Sequence, residues 1–220
     1  MATMAIVVTI AIVVTVRCRS LRIRGVRESV ARHGSRRGGS ATMRYAALLR
    51  GINVGGNKKI PMAELRQLLD RLGYSEVATY LQSGNAVFTS QRQPASALVR
   101  VIGEAIAAEF GMDVKVVIRT ADELASIQGR NPLPGEPENP SRFFVAFLSA
   151  VPEPKRVSEI AAQSFGADRI WVSGSEAFLW CPAGAADTLL TNNVIEKRLG
   201  VSATSRNWNT VNKLVSLTSA

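Results

Sequence analysis

The sequence predicts an α+β fold built from two ferredoxin-like βαββαβ subdomains, and three observations predict it. From Arg44 onward, runs of strand and helix character follow the order strand, helix, strand, strand, helix, strand. The same order recurs after Arg142, which points to a duplication. Between the two runs lies a stretch, residues 129–141, carrying Pro132, Pro134, Pro137 and Pro140, the composition of a semi-rigid linker.

In the first unit, residues 44–50 (RYAALLR) read as a short apolar strand ending at Gly51. Pro61 suits the first residue of a helix that places Met62, Leu65, Leu68, Leu69 and Leu72 at helical spacing and stops at Gly73. Residues 76–81 and 86–90 are β-rich runs around Gln82-Ser83-Gly84-Asn85, a hairpin signal. Residues 94–110 form a second helix closed by Gly111, and residues 114–119 a fourth strand. Thr120 and Glu123 then have the spacing of a capping box for a short helix.

In the second unit, residues 142–149 (RFFVAFLS) are a strand, with Phe143, Phe144 and Phe147 read as buried. A helix over 154–163 begins at a proline, and residues 169–172 and 176–180 flank a tight Ser173-Gly174-Ser175 turn. Residues 185–199 are expected to be mostly helical, 201–206 extended and 210–217 a terminal helix. Ser83-Gly84 with Phe88 matches Ser173-Gly174 with Phe178 at equal spacing, so the two sheets are expected against each other or side by side. The boundaries expected are therefore 1–42 outside the fold, 43–128 and 142–220 as the two subdomains, and 129–141 as the linker.

The net charge of +10 suggests a nucleic-acid binder until the charges are placed. Eight arginines against Glu28 give the first 42 residues +7, which leaves +3 for residues 43–220 and little basis for a basic patch there. Residues 1–16 are an uncharged apolar run, followed by an Arg-, Ser- and Gly-rich stretch. The positive charges follow the apolar run, the reverse of a secretory signal, and the run is short of the roughly 20 residues of a membrane span. The leading expectation is a translated upstream region with the working start at Met43, the alternatives being a targeting or anchor segment and a working basic arm, with a cytoplasmic location and no membrane segment in 43–220. Cys18 and Cys181 fall on either side of that boundary, so no disulfide framework fits inside the fold. The single histidine, His33, lies in the tail, which excludes a His-containing triad and argues against a metal site in the folded part.

Two polar loops are the candidate binding residues. RGINVGGNKK offers Arg50, Gly51, Asn53, Gly55, Gly56 and Lys58 between a strand and a helix, where glycine N–H groups, lysine charge and the helix dipole suit an anion. It is neither a Walker A loop nor a dinucleotide fingerprint. Near the C-terminus, Arg206, Asn207, Trp208, Asn209 and Lys213 combine a cation, amides and a ring able to stack. Asn209 is the expected cap of the last helix, and Asn85 joins the site if the chain ends converge. Alternatively, the asparagines are turn and cap residues and Trp208 is core.

The stretches YAALLRGINVGGNKKIPMAELRQLLDRLGY, YLQSGNAVF and RNWNTVNKL resemble the bacterial family known as domain of unknown function sixteen ninety-seven, over nearly all of residues 43–220. The resemblance implies a small α+β protein with ferredoxin-like subdomains and supplies no activity, cofactor or catalytic residue. The leading expectation is a protein that holds a small anionic or nucleotide-like ligand between the two loops. The other readings are an RNA-binding sheet, weakened by a single aromatic in Ala86-Val87-Phe88-Thr89, a transferase that works without histidine, and a protein-interaction module whose loops are structural.

Overall fold

The computed structural model describes residues 41–54 and 59–219, and the readings made of residues 1–40 lie outside them. Gly39–Ala220 form one compact unit. The first half is β1 (Thr42–Leu49), α1 (Met62–Arg71), β2 (Ser75–Tyr80), β3 (Asn85–Gln91), α2 (Ala95–Phe110) and β4 (Val116–Thr120), followed by α3 (Ala121–Gly129). The second half is β5 (Phe143–Leu148), α4 (Pro154–Ala161), β6 (Arg169–Ser173), β7 (Glu176–Trp180), α5 (Asn192–Leu199) and β8 (Ala203–Asn207), followed by α6 (Trp208–Thr218). Each half makes a four-stranded antiparallel sheet, ordered β2-β3-β1-β4 and β6-β7-β5-β8, the strand order of a ferredoxin-like unit.

The alternation of side chains in the central strands builds three cores. Tyr45, Ala47, Leu49 and Phe88 face α1 and α2, where Leu65, Leu69, Leu98 and Ile102 cover them. Ala146, Leu148, Ala177 and Leu179 face Ile160 of α4 and Ile195 and Leu199 of α5. The opposite faces meet each other. Ala46, Leu48, Val87 and Val117 of the first sheet share a cluster with Phe143, Val145, Phe147 and Phe178 of the second, closed by Leu124 and Ile127 of α3 and Trp208, Val211 and Leu214 of α6. The sheets therefore lie against each other, and the face an RNA-binding sheet leaves open is covered in both halves.

Local signals behave as their chemistry requires. Thr120 Oγ1 accepts from Glu123 N while the Glu123 carboxylate accepts from Thr120 N, the full capping box. Gly111 ends α2 in the left-handed conformation. Two expectations need correction. The cap of α6 is Asn207, whose Oδ1 accepts from Thr210 N at 3.0 Å and from the Thr210 hydroxyl at 2.8 Å, and Asn209 lies in the first turn. The helix expected over 185–199 is confined to Asn192–Leu199. Upstream of it, the Asp168 carboxylate accepts from the Thr188 hydroxyl and Leu189 N, and Thr188 Oγ1 accepts from Leu190 N. Those bonds hold 188–190 in an irregular path that delays the helix until Thr191 caps it.

The two halves repeat one topology, but the match of Phe88 with Phe178 is off by one. Tyr45 pairs with Phe88 and Val145 with Phe178, yet Phe88 faces α1 and α2 whereas Phe178 faces the other sheet. The register that superposes the faces sets Asn85 opposite Leu48 beside Glu176 opposite Phe147. A four-residue connection between Tyr80 and Asn85, against the two-residue turn between Ser173 and Glu176, absorbs the difference.

Candidate functional site

Two buried arginines join the halves, one from each. Arg206, on β8, crosses to the end of β1 and the β2–β3 turn. Its Nε donates to Asn85 Oδ1 at 2.5 Å, and Nη2 to the carbonyls of Leu49, Ser83 and Gly84 at 2.9, 3.0 and 3.2 Å. Nη1 donates to Thr204 Oγ1 and Ser205 O, both at 2.8 Å. The guanidinium thus uses its whole fork without meeting a carboxylate. Burial pushes its pKa down to about 10, which leaves it charged at neutral pH.

Arg119, on β4, makes the reciprocal crossing. Its Nη2 donates to Leu148 O at 2.8 Å and Ser175 O at 2.9 Å, and its Nε to Glu176 Oε1 at 2.8 Å. Arg130 Nη2 reaches the other carboxylate oxygen of Glu176 at 2.7 Å. Leu49 corresponds to Leu148, Asn85 to Glu176 and Arg206 to Arg119, so each half inserts an arginine under the central strand and hairpin turn of the other.

The predicted residues can now be placed. Arg50 Nη2 donates to Asn193 Oδ1 at 2.6 Å and Glu196 Oε2 at 2.7 Å, and its Nε approaches Glu196 Oε1 at 2.7 Å as an ion pair without a directed hydrogen bond. Gly51 and Asn53 both have positive φ, and Asn53 ties the loop together by bonding Ile60 N, Ile60 O and Gln82 O. Gly55, Gly56 and Lys58 lie outside the described residues. Asn85 is fully buried, with Nδ2 on Tyr80 O and Ser83 Oγ and Oδ1 on Arg206. The C-terminal segment reaches it through Arg206, which also bonds Leu49 O just before the Gly-rich loop and none of the described residues of that loop.

The rest of the C-terminal segment points elsewhere. Trp208 is 1% exposed, stands 5.2 Å from the ring of Phe143, and donates Nε1–H to Glu136 Oε2 at 2.7 Å, so it offers no free face for stacking. Asn207 caps α6, and Asn209 Nδ2 reaches Ser141 Oγ at 3.3 Å. Lys213 is exposed on α6. Asn207 lies at the end of β8 opposite Phe144, whereas the end of β1 meets Thr204 near its start. Arg206 and Asn85 are thus brought to the strand that leads into the Gly-rich loop, while Asn207, Trp208, Asn209 and Lys213 are set at the other end of β8.

Sequence reasoning missed Arg119, Glu176 and Arg130. The usable signal was the repeat itself, because Arg206 near the end of the last strand of one half calls for a counterpart in the other. It also missed a cleft of about 310 Å³ over the second sheet, floored by Phe144, Leu179 and Leu190 and rimmed by Thr188, Asn192 and Ser205. The Ser205 hydroxyl donates to Asn192 Oδ1 at 2.7 Å, which orients that amide at the edge. Cys181 in its wall is buried, and burial raises its thiol pKa, with the Thr188 hydroxyl bond opposing and the Asp168 charge adding. The cleft exists because α5 has 8 residues where α2 has 16.

A family model described as "Protein of unknown function (DUF1697)" matches residues 43–178. Among solved structures, the chain is similar to a conserved bacterial protein from Streptococcus pneumoniae, with a TM-score of 0.63 and 24% identity over 81% of this chain and 99% of that one. That likeness concerns the fold. No curated protein matches the chain. No helix among the described residues is long and apolar enough to cross a membrane.

Proposed function

The chain belongs to the DUF1697 family, whose description names no activity, and we propose from its geometry that it binds a small nucleotide-like molecule with the planar, hydrogen-bonding part in the cleft over β5, β7 and β8. The observation that carries this reading is the broken symmetry of the helix layer. A 16-residue helix spans the first sheet, while its counterpart in the second half starts late and leaves an apolar floor under a rim of hydroxyls and an amide. The volume falls within the usual range for small-molecule sites, and few but placed polar groups on an apolar base are what such sites use.

Among the described residues, no lysine or arginine lines the cleft, so it suits the neutral part of a ligand. An anionic part would extend past α5 toward Arg50, which is bonded to Asn193 next to Asn192 of the cleft wall. Arg50 is already paired with Glu196, so an anionic group there would share it with that carboxylate. Of the residues first expected to hold the ligand, Arg206 and Asn85 serve in this reading to join the halves.

The test is thermal unfolding of the intact chain against nucleobases, nucleosides, nucleotides, phosphorylated metabolites and short RNAs. A ligand at 100 times its Kd stabilises by about 2.7 kcal/mol. Ala185→Phe, on the exposed rim, fills the cleft at little risk to the core. A shift with bases or nucleosides that disappears in this variant is the expected result. Shifts confined to phosphorylated compounds that survive Ala185→Phe and vanish in Lys58→Glu would sink the cleft and transfer the site to the Gly-rich loop.

A further inference from the structure

A second cavity lies on the opposite face of β7. Trp180 ends that strand, and Leu133, Pro134 and Pro137 of the Pro-rich segment enclose with it about 210 Å³, with Glu136 and Glu138 at its edge. Glu136 is not free to turn at random, because its Oε2 accepts the indole N–H of the buried Trp208. Neither carboxylate has an ion pair among the described residues. Of the nearby arginines, Arg142 has its guanidinium beside Gly184, and two others are engaged elsewhere. Arg169, the cross-strand neighbour of Trp180, donates to the carbonyls of Gly166 and Asp168. Arg130 is held by Glu176 and Ser173 O.

We infer that this cavity is a binding site for a compact organic cation, an alkylammonium or guanidinium group whose apolar body lies on Trp180 and the prolines while its charge meets Glu136 and Glu138. An indole face attracts cations more strongly than any other aromatic side chain. A carboxylate held in place by a buried donor adds a directed, charge-assisted bond at little entropic cost. The volume is below that of drug-sized sites and fits one side chain or a small amine. The site is separate from the cleft over the other face, which no charged side chain among the described residues lines.

Calorimetric titration of the intact chain at fixed ionic strength with agmatine, choline and a capped Gly-Arg-Gly peptide tests this. Saturable binding of at least one of them is expected, weakened roughly tenfold in both Glu136→Gln and Trp180→Leu. The glutamine carbonyl still accepts from Trp208, so the first variant keeps the fold. Preference for the peptide over agmatine and choline would identify the source as a protein side chain, and the reverse a free amine. Absence of saturable binding with all three cations, or an affinity that survives either substitution, overturns the site.

Discussion

The two halves solve one junction with different chemistry. Arg119 meets the carboxylate of Glu176, which also binds Arg130, whereas Arg206 meets only carbonyls, a hydroxyl and the amide of Asn85. Both arginines occupy the same place in the repeat and both bond the last carbonyl of the other half's central strand. The first arrangement supplies a counter-charge and the second does not. A buried cation without a counter-charge is tolerated only where every donor finds an acceptor, and removing it strands those acceptors. The uncompensated clamp is therefore the one the fold can least do without.

The largest expected effect follows. Arg206→Met leaves the carbonyls of Leu49, Ser83 and Gly84 and the amide of Asn85 without their partner, at a cost of about 3–5 kcal/mol. Arg119→Met is expected to cost about 2–3 kcal/mol, because Glu176 keeps Arg130. Urea unfolding of both variants decides the comparison, and an equal or reversed order would break it.

The turns above the two clamps differ in the same sense. A Cβ on Gly84 would stand 2.8 Å from Leu49 Cβ and Ile52 Cδ1, at φ +79°, so the turn presses on the strand end that Arg206 bonds. At Gly174, φ is +61° and the nearest atom is Arg130 Nη1 at 3.8 Å. Gly84→Ala is expected to cost about 3 kcal/mol and Gly174→Ala about 1 kcal/mol, the latter from backbone strain alone. The same denaturation series reads both. Glu176→Gln sharpens the contrast from the other side by giving the second clamp an amide like the first. It leaves Arg119 and Arg130 without a counter-charge, and a loss of about 2 kcal/mol is expected.

What was legible in the sequence follows the range of the interactions. The strand and helix order, the Thr120–Glu123 box and the α2 stop at Gly111 are set within a few residues and were readable. Asn85 and Arg206 stood out as candidate ligand groups, but the bond between them was not readable, since it joins residues 121 apart. Trp208 shows the limit most clearly. An Asn-Trp-Asn sequence reads as ligand chemistry until Phe143 and Glu136 are seen to occupy the ring and its N–H. The cleft was illegible for a related reason: apolar Ala- and Leu-containing residues from 185 onward suggest helix, and Asp168, far back in the chain, helps to hold 188–190 out of it.

The helix layer yields the smallest prediction and the one that bears most directly on function. Where α2 covers the first sheet, no thiol is present, and in the second half Cys181 sits in the cleft wall under the irregular 181–191 segment. Its thiol pKa is raised by burial, so at pH 8 its thiolate fraction is below that of a free cysteine. The sign of the linked stability follows from that direction. The contribution is complete below the ordinary thiol range and is lost as pH climbs through that range toward the folded value. In a Cys18→Ser background, labelling of Cys181 by a thiol reagent should be at least about tenfold slower than in the unfolded chain, and slower still with a cleft ligand bound. Labelling at the free-thiol rate would mean that 181–191 opens readily, and that the shorter helix layer of the second half is a gate over the sheet instead of a fixed wall.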